Sequence, residues 1–199
     1  FYPALLRPNV TLVDQAVVRA TPTGVVTADG VTHELDVLVA ATGFRVADAG
    51  APFEIIGQRG RSLHDEWANG GQAHLGTVVA GFPNLFIMTG PNTGLGHNSM
   101  VYIIESQARF VMAALAALDA KGAAAFDVKP QAQAAFNADV QRRLARTVWN
   151  TGGCKSWYLS EDGRNHVLWP DFTFRFRQRL SRFDWRDFEP IGTATRSTA

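Results

Sequence analysis

Two runs of consecutive apolar residues, each ending in a glycine-containing turn, constrain this chain more than any other feature. Asp36-Val37-Leu38-Val39-Ala40-Ala41 leads into Thr42-Gly43, and Asn84-Leu85-Phe86-Ile87-Met88-Thr89 leads into Gly90-Pro91. A strand with one face in water alternates apolar and polar residues, whereas a strand covered on both faces is apolar throughout, as in a parallel sheet flanked by helices. Both runs are therefore predicted as buried strands, and the fold class as α/β. The stretch Gly90–Asn98 is predicted as a turn, because Gly and Pro there oppose any regular element. A helix is expected from about Ser99 to Asp119. Its apolar positions Ile104, Ala108, Val111, Met112, Leu115 and Leu118 recur at three- and four-residue spacing, and Lys121-Gly122 closes it.

Weaker signals fill in the rest. Asn9–Val13 alternates as a half-buried strand would, and Ala28-Asp29-Gly30 between Val25–Thr27 and Val31–Glu34 signals a hairpin. From Arg45 to Ala80 the pattern is irregular, with a short helix expected around Leu63–Trp67. Pro130 opens a helix whose stripe is Ala132, Phe136, Val140, Leu144 and Val148. Phe172, Phe174 and Phe176 alternate with Thr173, Arg175 and Arg177, which predicts a one-sided strand.

Composition excludes several classes. With 46% hydrophobic residues and a net charge of +1, the 199 residues are neither a disordered polypeptide nor a solvating tail, and they carry no nucleic-acid signature. The longest apolar candidate, Val101–Leu118, contains Glu105 and Arg109 and is not read as a membrane span. The single cysteine, Cys154, rules out an internal disulfide, a Cys-x-x-Cys pair and a multi-Cys zinc site. A cytoplasmic location is expected. His33, His64, His74, His97 and His166 lack the spacing of a helical ligand set, so no metal site is expected. The chain opens Phe1-Tyr2-Pro3, and the expectation is a C-terminal fragment of a longer protein.

Three stretches could carry chemistry. In a parallel sheet the turn after a strand lies where ligands bind, and the next helix aims unpaired N–H groups and its positive dipole end there. Gly90, Gly94 and Gly96 would let a flat or anionic ligand approach the backbone, while Asn92, Thr93, His97, Asn98 and Ser99 add donors around Leu95. Thr42 and Gly43 end the first run with small residues, which serve a well-packed strand end or a close crossing of a cofactor. Trp149–Trp169 sets aromatics among Gly and polar residues, a composition suited to a pocket wall or to a satellite core. Cys154 is a weak nucleophile candidate, since no partner histidine can be assigned to it.

These residues resemble a known family. Asp36-Val-Leu-Val-Ala-Ala-Thr-Gly-Phe44 is similar to the linking motif of flavin monooxygenases built on two dinucleotide-binding domains. Phe82–Ser99 resembles their flavin-facing loop and helix. Trp149 through Trp157-Tyr158 and Trp169-Pro170 are similar to C-terminal segments of the Baeyer–Villiger branch, including 4-hydroxyacetophenone and cyclohexanone monooxygenases. The resemblance implies the C-terminal part of a flavoprotein with Rossmann-like FAD and NADP domains, incomplete in this chain. Residues 1–40 would end the NADP domain, and 41–199 would continue the FAD domain with an aromatic-rich C-terminal segment. It implies FAD and NADPH as cofactors, O2 and a small-molecule ketone as substrates, and oxygen insertion through a C4a-peroxyflavin, with no nucleic-acid or membrane partner. Cofactor contacts would come from Thr42, Gly43, Gly90, Asn92, Thr93, Gly94, Leu95, Gly96, His97, Asn98 and Ser99, and substrate contacts from Trp157 and Tyr158. The catalytic residues would lie in the N-terminal half, and the fragment alone would be inactive. The two Gly-x-Gly-x-x-Gly fingerprints and the Phe-x-Gly-x-x-x-His-x-x-x-Trp signature of such enzymes do not occur in these 199 residues. Competing readings are an N- or S-oxygenating flavin monooxygenase, a disulfide-reductase-like flavoprotein, and a non-catalytic stand-alone domain derived from such an enzyme.

Overall fold

A computed structural model describes residues 1–43, 53–153, 156–160 and 162–193. The chain divides into two compact units, Phe1–Gly43 and Phe44–Ala199. In the first, a short helix α1 (Tyr2–Leu5) precedes an antiparallel meander of β1 (Val17–Thr21), β2 (Gly24–Thr27) and β3 (Thr32–Glu34). The Asp-Gly signal is borne out: β2 pairs with β3 across a turn in which Gly30 takes φ 83°, a left-handed value that favours glycine. Thr27 Oγ1 donates to Asp29 Oδ1 at 2.6 Å and tightens that turn. Val25, Val26 and Thr27 are the buried residues of this unit.

Two expectations fail here. Asn9–Val13 forms no strand; the Val10 N–H is already spent on the Arg7 carbonyl in a turn. Asp36–Ala41 forms none either, and Val37, Leu38 and Val39 are 77%, 63% and 79% exposed. An apolar run becomes a buried strand only where neighbouring strands pair with it, and among the described residues none does. The motif's last residue, Phe44, lies outside the described residues, as does Cys154.

The second unit contains α2 (Leu63–Glu66), α3 (Met100–Lys121), β4 (Ala123–Val128), α4 (Pro130–Leu144), α5 (Val148–Thr151), α6 (Thr173–Arg179) and β5 (Phe188–Thr193). Strands β4 and β5 form an antiparallel pair with Val128 opposite Phe188. The core joins Ile103 and Phe110 of α3, Phe126 of β4, Phe136, Val140 and Leu144 of α4, Trp169, Phe176 and Phe188. Burying each of these side chains stabilises the fold by about 1.5–3 kcal/mol. The ends of α3 and α4 follow the sequence signals: Gly122 caps α3 at φ 64°, and Pro130 begins α4, whose stripe buries Phe136, Val140 and Leu144.

Five points depart from the sequence reading of this unit. The buried face of α3 is Ile103, Ser106, Gln107, Phe110 and Ala114, not the apolar stripe, of which Ile104, Met112 and Leu115 are exposed. Two polar residues occupy the inner face because Gln107 satisfies loop backbone there, which a hydropathy pattern cannot register. Met100–Lys121 is long and apolar enough to cross a membrane by length and composition. The segment Asn84–Thr89 is no strand, since Asn84 and Thr89 both adopt left-handed φ (57° and 53°) and break the extension at each end. Thr173–Arg179 is a helix rather than a strand, because Thr173, Phe176 and Leu180 share one buried face at helical spacing while Phe172 and Phe174 are exposed. Val148 belongs to α5 and is exposed, outside the α4 stripe.

Candidate functional site

The turn Gly90–Asn98 is held from two sides by buried amide side chains. On the α3 side, Gln107 Oε1 accepts from the Thr89 N–H at 2.9 Å. Its Nε2 reaches the Gly76 and Ile87 carbonyls and Thr77 Oγ1 at 2.9, 3.2 and 3.0 Å. On the other side, the Asn92 N–H donates to the His166 carbonyl and the Gly94 N–H to the Val167 carbonyl. The Trp169 N–H returns a bond to Gly94, so the turn and residues 166–169 lie side by side as a parallel bridge. Asn92, buried and at φ 57°, donates through Nδ2 to the Asn165 and Leu168 carbonyls at 2.7 and 3.0 Å. A non-glycine residue in the left-handed region persists only where its surroundings over-determine it, and these bonds do so.

The three glycines answer to packing. A Cβ on Gly90 would sit 2.6 Å from the Gly76 carbonyl oxygen, on Gly94 2.8 Å from that of Val167, and on Gly96 2.5 Å from the Trp149 indole. Beyond Gly94 the chain turns outward. Gly96, His97, Asn98 and Ser99 are exposed, and the N–H groups of Leu95, Gly96, His97 and Asn98 make no main-chain bond among the described residues. Ser99 does not cap α3 with its side chain; Asn98 Oδ1 accepts the Ser99 N–H at 2.8 Å, and Asn98 Nδ2 donates to Thr173 Oγ1 at 2.9 Å. The result is a rigid loop whose open N–H groups stand beside the positive end of a 22-residue helix, a setting that favours negative charge. Thr93 is buried and spends its hydroxyl on the Gly90 carbonyl. Beside His97 a cavity of about 240 Å³ is walled by Trp149, Trp169, Pro170 and Phe172.

The remaining candidates separate. Thr42 and Gly43 close the first unit, exposed, with Gly43 at φ 85°. Trp157 is half-exposed and tilts over Tyr158 at 4.2 Å; Tyr158 meets Trp149 edge-on at 5.5 Å and packs against the core. The pair thus backs the residue that fills the Gly96 space. Among the described residues no group of three or more metal-ligating side chains occurs. His166, whose Nδ1 lies 3.0 Å from the Gly71 carbonyl, and His74, between the rings of Phe136 and Phe188, are both pushed below the usual imidazole range by burial. Asp187, 3.7 Å from His74 Nε2, opposes that shift only in part. Sequence reasoning missed Gln107 and Gln141 as parts of the site, and took Trp149 and Asn165 only as members of the Trp149–Trp169 stretch, without their roles in holding the loop. The one available signal was Gly163-Arg164-Asn165, a turn between aromatic segments.

The residues fit the ring end of a flavin, whose pyrimidine edge becomes negative on reduction, against the open N–H groups; they offer no glycine fingerprint for its pyrophosphate. Comparison with known proteins bears on the family. No protein-family model matches the chain. A Baeyer-Villiger monooxygenase of Pseudomonas aeruginosa is 45% identical over 185 residues, covering 92% of this chain and 35% of that protein. Solved structures also match in fold, two of them as follows. OTEMO in complex with FAD and NADP has a TM-score of 0.77 at 27% identity, over 94% of this chain and 36% of its own. Cyclohexanone monooxygenase from Rhodococcus sp. Phi1, bound to NADP+, has a TM-score of 0.75 at 31% identity, over 96% and 38%. Fold and sequence thus define the class: the chain corresponds to a partial region of a two-domain flavoprotein monooxygenase. Within that class its relatives are the Baeyer-Villiger monooxygenases, and it spans about a third of their length, 35% in the Pseudomonas protein.

Proposed function

We propose that this chain is the C-terminal region of an FAD- and NADPH-dependent Baeyer–Villiger monooxygenase acting in the cytoplasm. Ketone, O2, NADPH and a proton would give ester or lactone, NADP+ and water. The carrying observation is the loop in which the Asn92 and Gly94 amides are tied back while those of Leu95 to Asn98 stay open at the start of α3. FAD, when bound, supplies the oxygen-activating redox chemistry. This chain's residues do the rest of what can be assigned to it. The amides of Gly96, His97 and Asn98, with Ser99 beside them, would bind and orient the pyrimidine edge, where the helix dipole favours negative charge, while Thr93 holds the turn from within through the Gly90 carbonyl. Thr42 and Gly43 are assigned to cofactor binding on the resemblance of their motif, Asp36 to Phe44, to the family's linking motif. Trp157 and Tyr158, with Trp149, exclude water from the substrate side. A ketone is the proposed substrate because the Pseudomonas relative is named a Baeyer-Villiger monooxygenase and a matching structure is a cyclohexanone monooxygenase.

Asn98→Asp tests the reading in the intact flavoprotein. Asp keeps an oxygen to accept the Ser99 N–H, and the Thr173 hydroxyl can turn to donate to it, so folding should hold. Its charge should oppose reduction and lower the flavin midpoint potential by about 30 mV, the shift that ~1.4 kcal/mol produces in a two-electron couple. An unchanged potential would place the flavin elsewhere.

A further inference from the structure

Asn165 spends nearly every polar atom it has. It is fully buried, between α5 and the turn that leads to Trp169. Its N–H donates to Gln141 Oε1 at 3.1 Å, and its carbonyl accepts from Gln141 Nε2 at 2.8 Å and from Asn92 Nδ2 at 2.7 Å. Its Oδ1 accepts from the Val167 and Leu168 N–H groups at 3.1 and 3.0 Å, and its Nδ2 donates to Asn150 Oδ1 at 3.2 Å. A buried amide satisfied this fully fixes its neighbours in one arrangement, since losing any partner strands a polar group away from water.

Those neighbours reach both ends of the glycine loop. Through its carbonyl and through the turn it shapes at Val167 and Leu168, Asn165 holds Asn92 and Gly94. Through Nδ2 it holds Asn150 of α5, whose neighbour Trp149 lies where a Gly96 Cβ would be, 2.5 Å away. Gln141 ties the whole arrangement to α4. We propose that Asn165 is the positioning residue of this loop, setting Asn92 and Gly94 directly and Gly96 through Asn150 and Trp149. The inference rests on the flavin-site reading above and deepens it: the open amides of Gly96 to Asn98 would keep one geometry because a buried asparagine behind them does. Asn165 itself touches neither cofactor nor substrate in this scheme.

The test is a double-mutant cycle on FAD affinity in the intact flavoprotein. Asn150→Ala removes the far arm, together with a long bond of 3.5 Å from Asn150 Nδ2 to the Gly163 carbonyl. Asn165→Ser keeps an acceptor for the Val167 N–H, since serine also makes such turns, and loses the bond to Asn150. Each should raise the FAD Kd by about tenfold, the change that one net hydrogen bond corresponds to. The double variant should be no worse than Asn165→Ser alone, because that variant already lacks the Asn150 contact along with the Leu168 acceptor. A merely structural asparagine would lower the melting temperature and leave the Kd of the folded protein unmoved; that result overturns the proposal, as does multiplication of the two effects to about a hundredfold. Should Asn165→Ser fail to fold, the Asn150→Ala Kd decides alone, tenfold weaker supporting the proposal and unchanged overturning it. Asn98→Asp, read by midpoint potential in the same protein, separates the two failures. A shifted potential with an unmoved Kd sinks the positioning role and leaves the flavin site standing, whereas silence in both sinks the site itself.

Discussion

The runs Asp36–Ala41 and Asn84–Thr89 look alike as sequence and differ as structure. Both are six residues of mostly apolar side chains before a glycine turn. In the second, Phe82 is buried just upstream, Leu85, Phe86 and Ile87 are partly buried, and the Ile87 N–H reaches the Thr77 carbonyl at 2.8 Å. The first has Val37 to Val39 in the open, with no ladder. Neither is a regular strand. The difference is what stands next to each: Gln107 of α3 fastens the second run at Ile87 and Thr89, and nothing comparable is present for the first among the described residues. Apolar content states that a segment must be covered; the cover itself comes from elsewhere in the chain.

The sharpest way to erase the contrast is Gln107→Met, which keeps the volume and removes four hydrogen bonds. The Gly76 and Ile87 carbonyls and the Thr89 N–H would be left without partners. At about 1–3 kcal/mol for each stranded buried group, partly relieved by water, the expected loss is about 3–5 kcal/mol. Denaturant unfolding of the 199-residue chain measures it. A loss under about 1 kcal/mol would mean that packing alone holds the second run.

Acid should loosen the same side of the comparison. His74 neighbours the Thr77 anchor and is held below its ordinary range by burial, with Asp187 favouring the proton and Arg179 opposing it. His166 is shifted in the same direction by burial. The unfolded chain therefore takes up protons near pH 6.5 that the folded chain refuses. Stability is intact above that pH and falls as pH drops below it, until the folded histidines themselves titrate, at no more than about 1.4 kcal/mol per pH unit for each. His74→Phe should remove its share of the slope. Equal pH dependence in that variant, followed by thermal melts from pH 7.5 to 5, would show that His74 is not the group responsible. The run 36–41 carries no histidine and should give no such response.

What could be read in the sequence was set by local chemistry. Gly122 at the end of α3, Pro130 at the start of α4 and Asp29-Gly30 in the hairpin each act through their own backbone, so their effects survive any tertiary context. The glycine loop was legible as a loop for the same reason. Its purpose was less so. Gly90, Gly94 and Gly96 suggest room for a ligand, yet each Cβ direction meets protein, and the open amides lie one step further on. The buried face of α3 was illegible because Ser106 and Gln107 read as surface residues, and the α6 helix because six alternating residues fit two periods. Asn165 was visible only as part of the turn Gly163-Arg164-Asn165, since its role depends on partners from Asn92 to Leu168 that only the fold assembles.

The smallest effect is the most informative about the first run. Val39→Asp places a charge on a side chain that is 79% exposed, so in this chain it should change stability by no more than about 0.5 kcal/mol. Ile87→Asp, by contrast, puts a charge into a half-buried site beside Leu63 and Phe82 and should cost several times more. Amide exchange should agree, with the Ile87 N–H protected and those of Leu38 and Val39 exchanging freely. A loss above about 1.5 kcal/mol for Val39→Asp would show that the run is covered in this chain after all. The substitution then becomes a gauge: repeated in a longer protein that carries strands beside Asp36–Ala41, its added cost over the 199-residue chain measures how much burial those neighbours supply.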